Sequence, residues 1–191
     1  SLMESPGRWP MDLKSHSLPL VNIYAVTVVG HDRPGIVADV TGALATHGGN
    51  IEDSSMTLLR GYFAWTLVVA LDTDIATIES TLAPLEQTHL KIAVVELTQE
   101  VGGSQTATHW LSVHGSDRPG IVSAVTAVVA GVGGNITDLT TRLAGTLYVV
   151  LADVFLPPGV DVESLTQQLL DVAAELGVDV SLRVADNDDV L

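Results

Sequence analysis

The hexapeptide Asp32-Arg33-Pro34-Gly35-Ile36-Val37 occurs twice in this 191-residue chain, the second time as Asp117-Arg118-Pro119-Gly120-Ile121-Val122. Equivalent positions are 85 residues apart, and the register is kept beyond the hexapeptide: Gly30 corresponds to Gly115, Gly49-Asn50-Ile51 to Gly134-Asn135-Ile136, and Asp53 to Asp138. Six identical residues around a Pro-Gly pair are hard to obtain by chance. The chain is therefore one unit of roughly 80 residues used twice.

This repeat predicts two compact modules, each near the lower size limit of a domain that folds alone. We place module 1 at residues 20–98 and module 2 at residues 109–185. A Gly-rich linker at 99–108 separates them, and an N-terminal arm (1–19) and an acidic tail (186–191) flank them.

The charge balance argues against direct nucleic-acid binding. Eight Lys and Arg residues face 23 Asp and Glu residues, giving a formal net charge of -15. Such a chain repels phosphate backbones at long range, and its basic residues are scattered singly along the sequence. We expect no direct contact with nucleic acid.

The cysteine count and the hydropathy pattern exclude further classes. The chain has no Cys, so it forms no disulfide and no thiolate site, which fits the reducing cytoplasm. Its six His residues lack metal-ligand spacing, and we expect neither a metal nor another cofactor. The longest uncharged run, 119–137, is interrupted by glycines, so we expect no membrane span.

The apolar periodicity of each half predicts the order strand, helix, strand, strand, helix, strand. In module 1 the first strand is an apolar run over 21–29, a helical stripe follows the hexapeptide as far as Gly48-Gly49, and a polar strand at 51–58 precedes an apolar one at 63–71. A second helical stripe begins at Ile75, where Pro84 should kink or shorten the helix, and a strand at 92–97 ends the module.

Module 2 repeats this order, with strands at 110–113 and 178–184, a helix from Pro119 to about Val132, a strand pair within 136–155 and a helix over 162–176. The βαββαβ order predicts an α+β fold of two ferredoxin-like modules. Each is a four-stranded antiparallel sheet with both helices on one face and strands one and three in the centre.

The repeated hexapeptide leads from a strand end into a helix start, where unpaired backbone N–H groups and the positive end of the helix dipole meet. Such a corner attracts a carboxylate, while Asp32 and Asp117 add a negative charge beside it. A ligand with an ammonium and a carboxylate, such as a free amino acid, is complementary to this pair. The alternative is that both Asp residues merely cap their helices, with Pro34 in the first turn.

The sequence Asp-Arg-Pro-Gly-Ile-Val after a strand, followed by Gly-Gly-Asn-Ile-x-Asp about one helix later, resembles the ACT domain, a small-molecule-sensing module of βαββαβ fold. The two copies cover about 21–185. Among tandem ACT proteins the chain resembles the glycine cleavage system transcriptional repressor family most, and the stretch from Ser80 to His89 strengthens that likeness.

The resemblance implies amino-acid binding where two ACT modules pair, with the corner of one module facing the start of strand two of its partner. It implies a non-catalytic regulator that signals by protein contact, forms a dimer and possesses two such sites. The residues implied for one site are Gly30, His31, Asp32, Gly35 and Ile36 with Asn135 and Ile136, and for the other Gly115, Ser116, Asp117, Gly120 and Ile121 with Asn50 and Ile51. The exchange of His31 for Ser116 makes the two sites unequal.

Two rival functions remain open. The chain could be an interaction or structural module without a ligand, or an accessory subunit of an amino-acid or one-carbon enzyme. Enzymatic activity of its own is not expected, because the sequence contains no recognisable catalytic domain. The phosphatase-like stretch Asp72-Thr73-Asp74-Ile75-Ala76 is interpreted as an acidic helix start.

Overall fold

The computed structural model describes residues 21–98 and 105–186. The chain divides into two compact units between Val101 and Gly102, within the predicted linker. The predicted N-terminal arm, residues 99–104 of the linker and residues 187–191 of the tail lie outside the described residues. In the part that is described, no helix is long and apolar enough to cross a membrane.

Module 1 contains four strands and two helices: β1 (Asn22–His31), α1 (Ile36–Ala45), β2 (Asn50–Leu59), β3 (Tyr62–Leu71), α2 (Ile75–Glu86) and β4 (Leu90–Leu97). The strands form one antiparallel sheet in the order β2-β3-β1-β4. The predicted element order and the central position of strands one and three are therefore confirmed.

Module 2 has the same plan: β5 (His109–Ser116), α3 (Ile121–Gly131), β6 (Asn135–Ala144), β7 (Leu147–Phe155), α4 (Val162–Leu176) and β8 (Val178–Val184). Its antiparallel sheet has the order β6-β7-β5-β8. Thr108, the last residue of the predicted linker, donates its N–H to the Val154 carbonyl at 2.8 Å and accepts from the Ala185 N–H at 2.9 Å. Thr108 is thus tied to the strands of this module.

Both helices of each module cover the same face of its sheet, as predicted. In module 1 three alternate residues in the middle of β1 are buried together with Ile36 and Val40 of α1 and Ile78 of α2. The single polar atom of buried Tyr24 is satisfied, because its hydroxyl donates to the Thr73 carbonyl at 2.6 Å. The opposite face of each sheet is called here the helix-free face; it displays the alternate strand residues.

Glycines end the first helix of each module, as the sequence predicted. Gly48 has φ of 71°, and the Gly49 N–H donates to the Leu44 carbonyl at 3.1 Å, which satisfies a carbonyl of the last helical turn.

Pro84 does not stop α2, which continues for two residues to Glu86. This helix is 12 residues long, and its counterpart α4 is 15 residues long.

Candidate ligand-binding corners

The two repeated corners adopt the same backbone conformation. Gly35 lies between β1 and α1 with φ 90° and ψ -4°, and Gly120 lies between β5 and α3 with φ 88° and ψ 0°. Residues with a side chain rarely adopt such positive φ values, whereas glycine does so without steric strain. Identical sequence therefore produces identical geometry in the two modules.

The capping interpretation of Asp32 and Asp117 is wrong. The residues at the N-caps are Gly35 and Gly120, and neither helix has a side-chain cap. The helices start at Ile36 and Ile121, so Pro34 and Pro119 precede the N-cap and do not occupy the first turn. The reason is geometric: the left-handed glycine lies between the acidic residue and the helix, so each Asp stands three residues before the N-cap and its carboxylate does not accept from the first amides.

The first turn of each helix retains unpaired backbone donors. The Gly35 carbonyl accepts from the Asp39 N–H and the Gly120 carbonyl from the Ala124 N–H, both at 2.9 Å. Across the described ranges, no oxygen accepts from the amides of residues 36–38 or 121–123. These amides form the positive end of the helix dipole.

The carboxylates of Asp32 and Asp117 are exposed. Neither has a hydrogen-bond or ion-pair partner in the portion of the chain that the structure describes. The backbone of Asp32 is held in place, since its N–H donates to the Gly61 carbonyl at 3.4 Å. Each corner therefore combines an exposed carboxylate with the unpaired amide donors of the helix that follows it.

Gly30 and Gly115 have a role that the sequence did not reveal. A Cβ atom on Gly30 would lie 2.4 Å from the His89 carbonyl oxygen, and one on Gly115 would lie 2.8 Å from a methyl carbon of Val178. The absent side chain of each residue makes room for the start of the edge strand beside it. Gly30 thus allows β4 to lie close against β1.

Ile36 and Ile121 can offer a ligand only their main chains. Their side chains are 2% and 1% exposed and belong to the hydrophobic cores of their modules. These residues anchor the first helical turn against the sheet, which fixes the direction of the unpaired amides.

The Gly-Asn segments lie far from the corner of their own module. Gly30 pairs with Phe63 and Asn50 with Ala70, which are seven residues apart on β3. At 3.4 Å per residue this separation is about 24 Å. The register in module 2 is equivalent, since Gly115 pairs with Tyr148 and Asn135 with Phe155. No single module therefore brings the two predicted halves of a site together.

The Gly-Asn segments also differ in their surroundings. Asn50 and Ile51 are exposed, with Ile51 at 37%. Asn135 donates from Nδ2 to Oε1 of Gln105 at 2.8 Å, and Ile136 packs partly against the core of module 2. A ligand meeting Asn135 would compete with Gln105 for its amide.

The charge at the two corners differs because of one residue in the first helix. Arg33 donates to the Asp39 carboxylate at 2.7 Å and to Thr88 Oγ1 at 3.3 Å. The position equivalent to Asp39 in module 2 is Ala124, and among the described residues Arg118 has no acidic partner. Sequence reasoning missed this pair, because Arg33 lies outside the helix and the spacing to Asp39 matches no helical contact.

The remaining corner residues, His31 and Ser116, are the last residues of β1 and β5 and are exposed. The His31 ring lies 4.9 Å from the Tyr62 ring, centroid to centroid. The acidic stretch after β3 is a helix start as predicted: Asp74 is the N-cap of α2 and accepts from the Thr77 N–H at 2.8 Å. Hydrogen bonding by the side chain and the N–H of Thr77 lowers the pKa of Asp74.

Comparison with known proteins agrees with this architecture. The ACT domain family matches residues 22–96 and 110–183. The glycine cleavage system transcriptional repressor of Escherichia coli (strain K12) is 28% identical over 169 residues, covering 83% of this chain and 88% of the relative. A UPF0237 protein of Streptococcus pneumoniae is 51% identical over 47 residues, covering 25% of this chain and 53% of the relative.

Solved structures give the same result. A crystal structure of a protein of unknown function from Galdieria sulphuraria has a TM-score of 0.71 and 33% identity, covering 87% of this chain and 99% of the other. One attributed to a glycine cleavage system transcriptional repressor has a TM-score of 0.68 and 22% identity, covering 88% and 99%; at this identity it shows the fold alone.

Two ferredoxin-like units with the same glycine-capped corner define a duplicated βαββαβ protein. The chain belongs to the ACT domain family, of which it contains two copies, and it is related to the glycine cleavage system transcriptional repressors. The resemblance inferred from the hexapeptide is confirmed.

Proposed function

We propose that this chain is a non-catalytic regulatory protein that binds a free amino acid at the corners of its ACT modules and signals through protein contacts. The observation that carries the proposal is the repeated corner itself, which contains both unpaired helix amides and an unpaired carboxylate. The amides suit the ligand's carboxylate, and Asp32 or Asp117 suits its ammonium.

The second half of each site comes from another module. Within one module the Gly-Asn segment lies about 24 Å from the corner, so a corner can meet such a segment only across a module pair. This supports the proposed combination of one corner with Asn135 and Ile136 and of the other with Asn50 and Ile51. The pairing module belongs to this chain or to the second chain of a dimer.

The corner of module 2 is the stronger carboxylate site in this proposal. Arg118 has no acidic partner among the described residues, whereas Asp39 neutralises Arg33. A hydrogen bond to a charged group contributes about 1.5–3 kcal/mol, so the difference of one unneutralised guanidinium is sufficient to separate the affinities by about tenfold or more.

Regulation follows if the ligand favours one arrangement of paired modules over another, because a ligand shifts a conformational equilibrium only through its differential affinity. The relative from E. coli is named as a transcriptional repressor of the glycine cleavage system. We therefore propose a role in the control of amino-acid metabolism genes.

The net charge of -15 repels phosphate backbones, so in this role the chain would act on DNA through a second, DNA-contacting protein.

Thermal unfolding in the presence of each of the twenty amino acids tests the proposal. A ligand that binds the folded state raises the unfolding temperature. At a ligand concentration of a hundred times Kd, it adds about 2.7 kcal/mol to the free energy of unfolding. The double variant Asp32→Ala, Asp117→Ala should lose this response, and its own unfolding temperature should stay within about 4 °C, because the two side chains have no partners.

The control is Glu79→Ala, which removes an exposed acidic residue from the middle of α2 and should leave the response unchanged. No response of the wild-type protein to any amino acid would favour the interaction module without a ligand. A full response of the double variant would locate the ligand away from the corners.

A further inference from the structure

The helix-free face of the second sheet carries a row of charged and aromatic residues that neither core packing nor the corners account for. Asp138, Asp153, Trp110 and Arg183 are direct cross-strand neighbours on β6, β7, β5 and β8. They lie on the face opposite the helices, because Leu111, Ala152 and Val154, which alternate with them, are buried in the core. The row crosses all four strands of the sheet.

A cavity of about 460 Å³ opens on this row, lined by Trp110, Asp153 and Arg183 together with Ser112, Leu151 and Ser181. A volume of this order is typical of sites for small molecules. Trp110 is 43% exposed and Leu151 is 53% exposed, so an indole and an aliphatic side chain are open to an occupant.

The charges of the row are not compensated within the described chain. Asp138 and Asp153 lie directly opposite each other, and like charges in this position destabilise a sheet. Among the described residues neither of them, nor Arg183, takes part in an ion pair. A cation bound between Asp153 and the Trp110 ring, which both line the cavity, would weaken the repulsion between the carboxylates and gain a cation–π contact.

Module 1 provides an internal comparison. The equivalent row there is Asp53, Val68, Ala25 and Val95. It has the same backbone register, a single charge, no aromatic side chain and no guanidinium. The charged row is therefore a property of module 2 and not of the fold.

We propose that this cavity binds a short zwitterion whose opposite charges stand at the two ends of an apolar body, of the size of a dipeptide. Its ammonium lies between Asp153 and the face of Trp110, with Asp138 directly across the strand pair from Asp153, and its carboxylate is bound by the fork of Arg183. Asp153 and Arg183 flank Trp110 by one strand on each side, so their Cα atoms are about 10 Å apart.

The charge spacing selects the ligand class. An extended dipeptide is about 7 Å long, and the long Arg183 side chain spans the rest of the distance between Asp153 and Arg183. An α-amino acid carries both charges on one carbon and cannot span this distance. Trp110 is five residues from Gly115 along β5, or about 17 Å, so this cavity is separate from the corner of module 2 and does not depend on ligand binding there.

Titration with glycyl-leucine, followed by calorimetry and by tryptophan fluorescence, tests the proposal. The fluorescence change should be absent from Trp110→Phe, which leaves Trp9 and the buried Trp65 in place. N-acetyl-glycyl-leucine, glycyl-leucinamide and free leucine each lack one end charge or the spacing, and each should bind at least tenfold more weakly.

Asp153→Asn and Arg183→Gln should each weaken glycyl-leucine binding at least tenfold. Arg142→Gln is the matched control, because Arg142 lies on the same face but pairs with Val149, away from the cavity lining. Asp117→Ala should also leave this binding unchanged. Asp153→Asn should in addition raise the unfolding temperature, because it removes the repulsion between the two carboxylates. This rise would also show that the variant is folded.

Three results would each overturn the proposal: no heat and no Trp110-dependent fluorescence change with glycyl-leucine, equal affinity for the capped dipeptides or leucine, or variants of Asp153 and Arg183 that bind as the wild type does.

Discussion

Replacing Gly30 by alanine should destabilise module 1 through a backbone clash. The added Cβ would lie 2.4 Å from the His89 carbonyl oxygen and 2.9–3.0 Å from Cδ2 and Cα of Leu90. The nearest obstacle is main chain, and His89 already has a positive φ of 64°, so it has little freedom to move aside. We expect a loss of about 1–3 kcal/mol in the free energy of unfolding, the usual cost of overpacking.

A glycine in the same module supplies the matched control. Gly42 lies within α1, and nothing approaches within 4 Å of the position of its Cβ. Gly42→Ala should therefore stabilise the module by about 0.5–1 kcal/mol through helix propensity. The two Gly→Ala changes are chemically identical. Opposite signs of their changes in the free energy of unfolding would therefore isolate the effect of the contact with β4.

Urea unfolding followed by circular dichroism measures both variants. With a slope of about 1 kcal/mol per molar urea, Gly30→Ala should lower the midpoint of module 1 by about 1–3 M. The transition of module 2 should stay in place, because the clash is confined to β1 and β4. Wild-type stability of Gly30→Ala would refute the assignment of this glycine to strand packing.

Three further predictions concern single side chains. Burial lowers the pKa of His109; the unfolded chain then binds the proton first, so the stability of module 2 should fall as pH drops below about 6.5, and His109→Gln should flatten this slope in denaturation measured at pH 5 and 7.5. Asp161 caps α4 by accepting from the Ser164 N–H at 3.0 Å, so Asp161→Ala should cost about 1 kcal/mol and Glu163→Ala much less, as urea midpoints would show; equal effects would contradict the cap. Asp39→Ala should release Arg33 and raise the amino-acid-induced thermal shift that comes from the corner of module 1. The free energy of unfolding should change by less than about 1 kcal/mol, because the ion pair is at the surface. An unchanged thermal shift would show that Arg33 does not contact the ligand.

The fold could be predicted from the sequence because local signals and burial agree. The apolar runs at 21–29 and 63–71 became the central strands, the polar strand at 51–58 became an edge, and glycines at 48–49 ended the helix. Periodicity also placed α4 and β8 at their observed ends. These signals come from residues that are close together in the sequence, so they can be recognised without the structure.

The properties of the corners depend on contacts between distant residues, and these could not be predicted. The packing of Gly30 against His89 joins residues that are 59 positions apart, and no local pattern distinguishes it from a glycine that admits a ligand. The capping role of Gly35 was hidden because Asp32 and Pro34 are both favoured at helix starts. The row at Trp110 appears only once the register of all four strands of its sheet is known.

The distance between corner and Gly-Asn segment within each module has a consequence for ligand stoichiometry. If a twofold rotation sets the corner of one module against the Gly-Asn segment of another, the same rotation creates the reciprocal contact at the far end of both sheets. Sites then form two at a time, and the first molecule bound holds together the surfaces that the second requires. Titration of such a pair would show positive cooperativity with an even number of ligands.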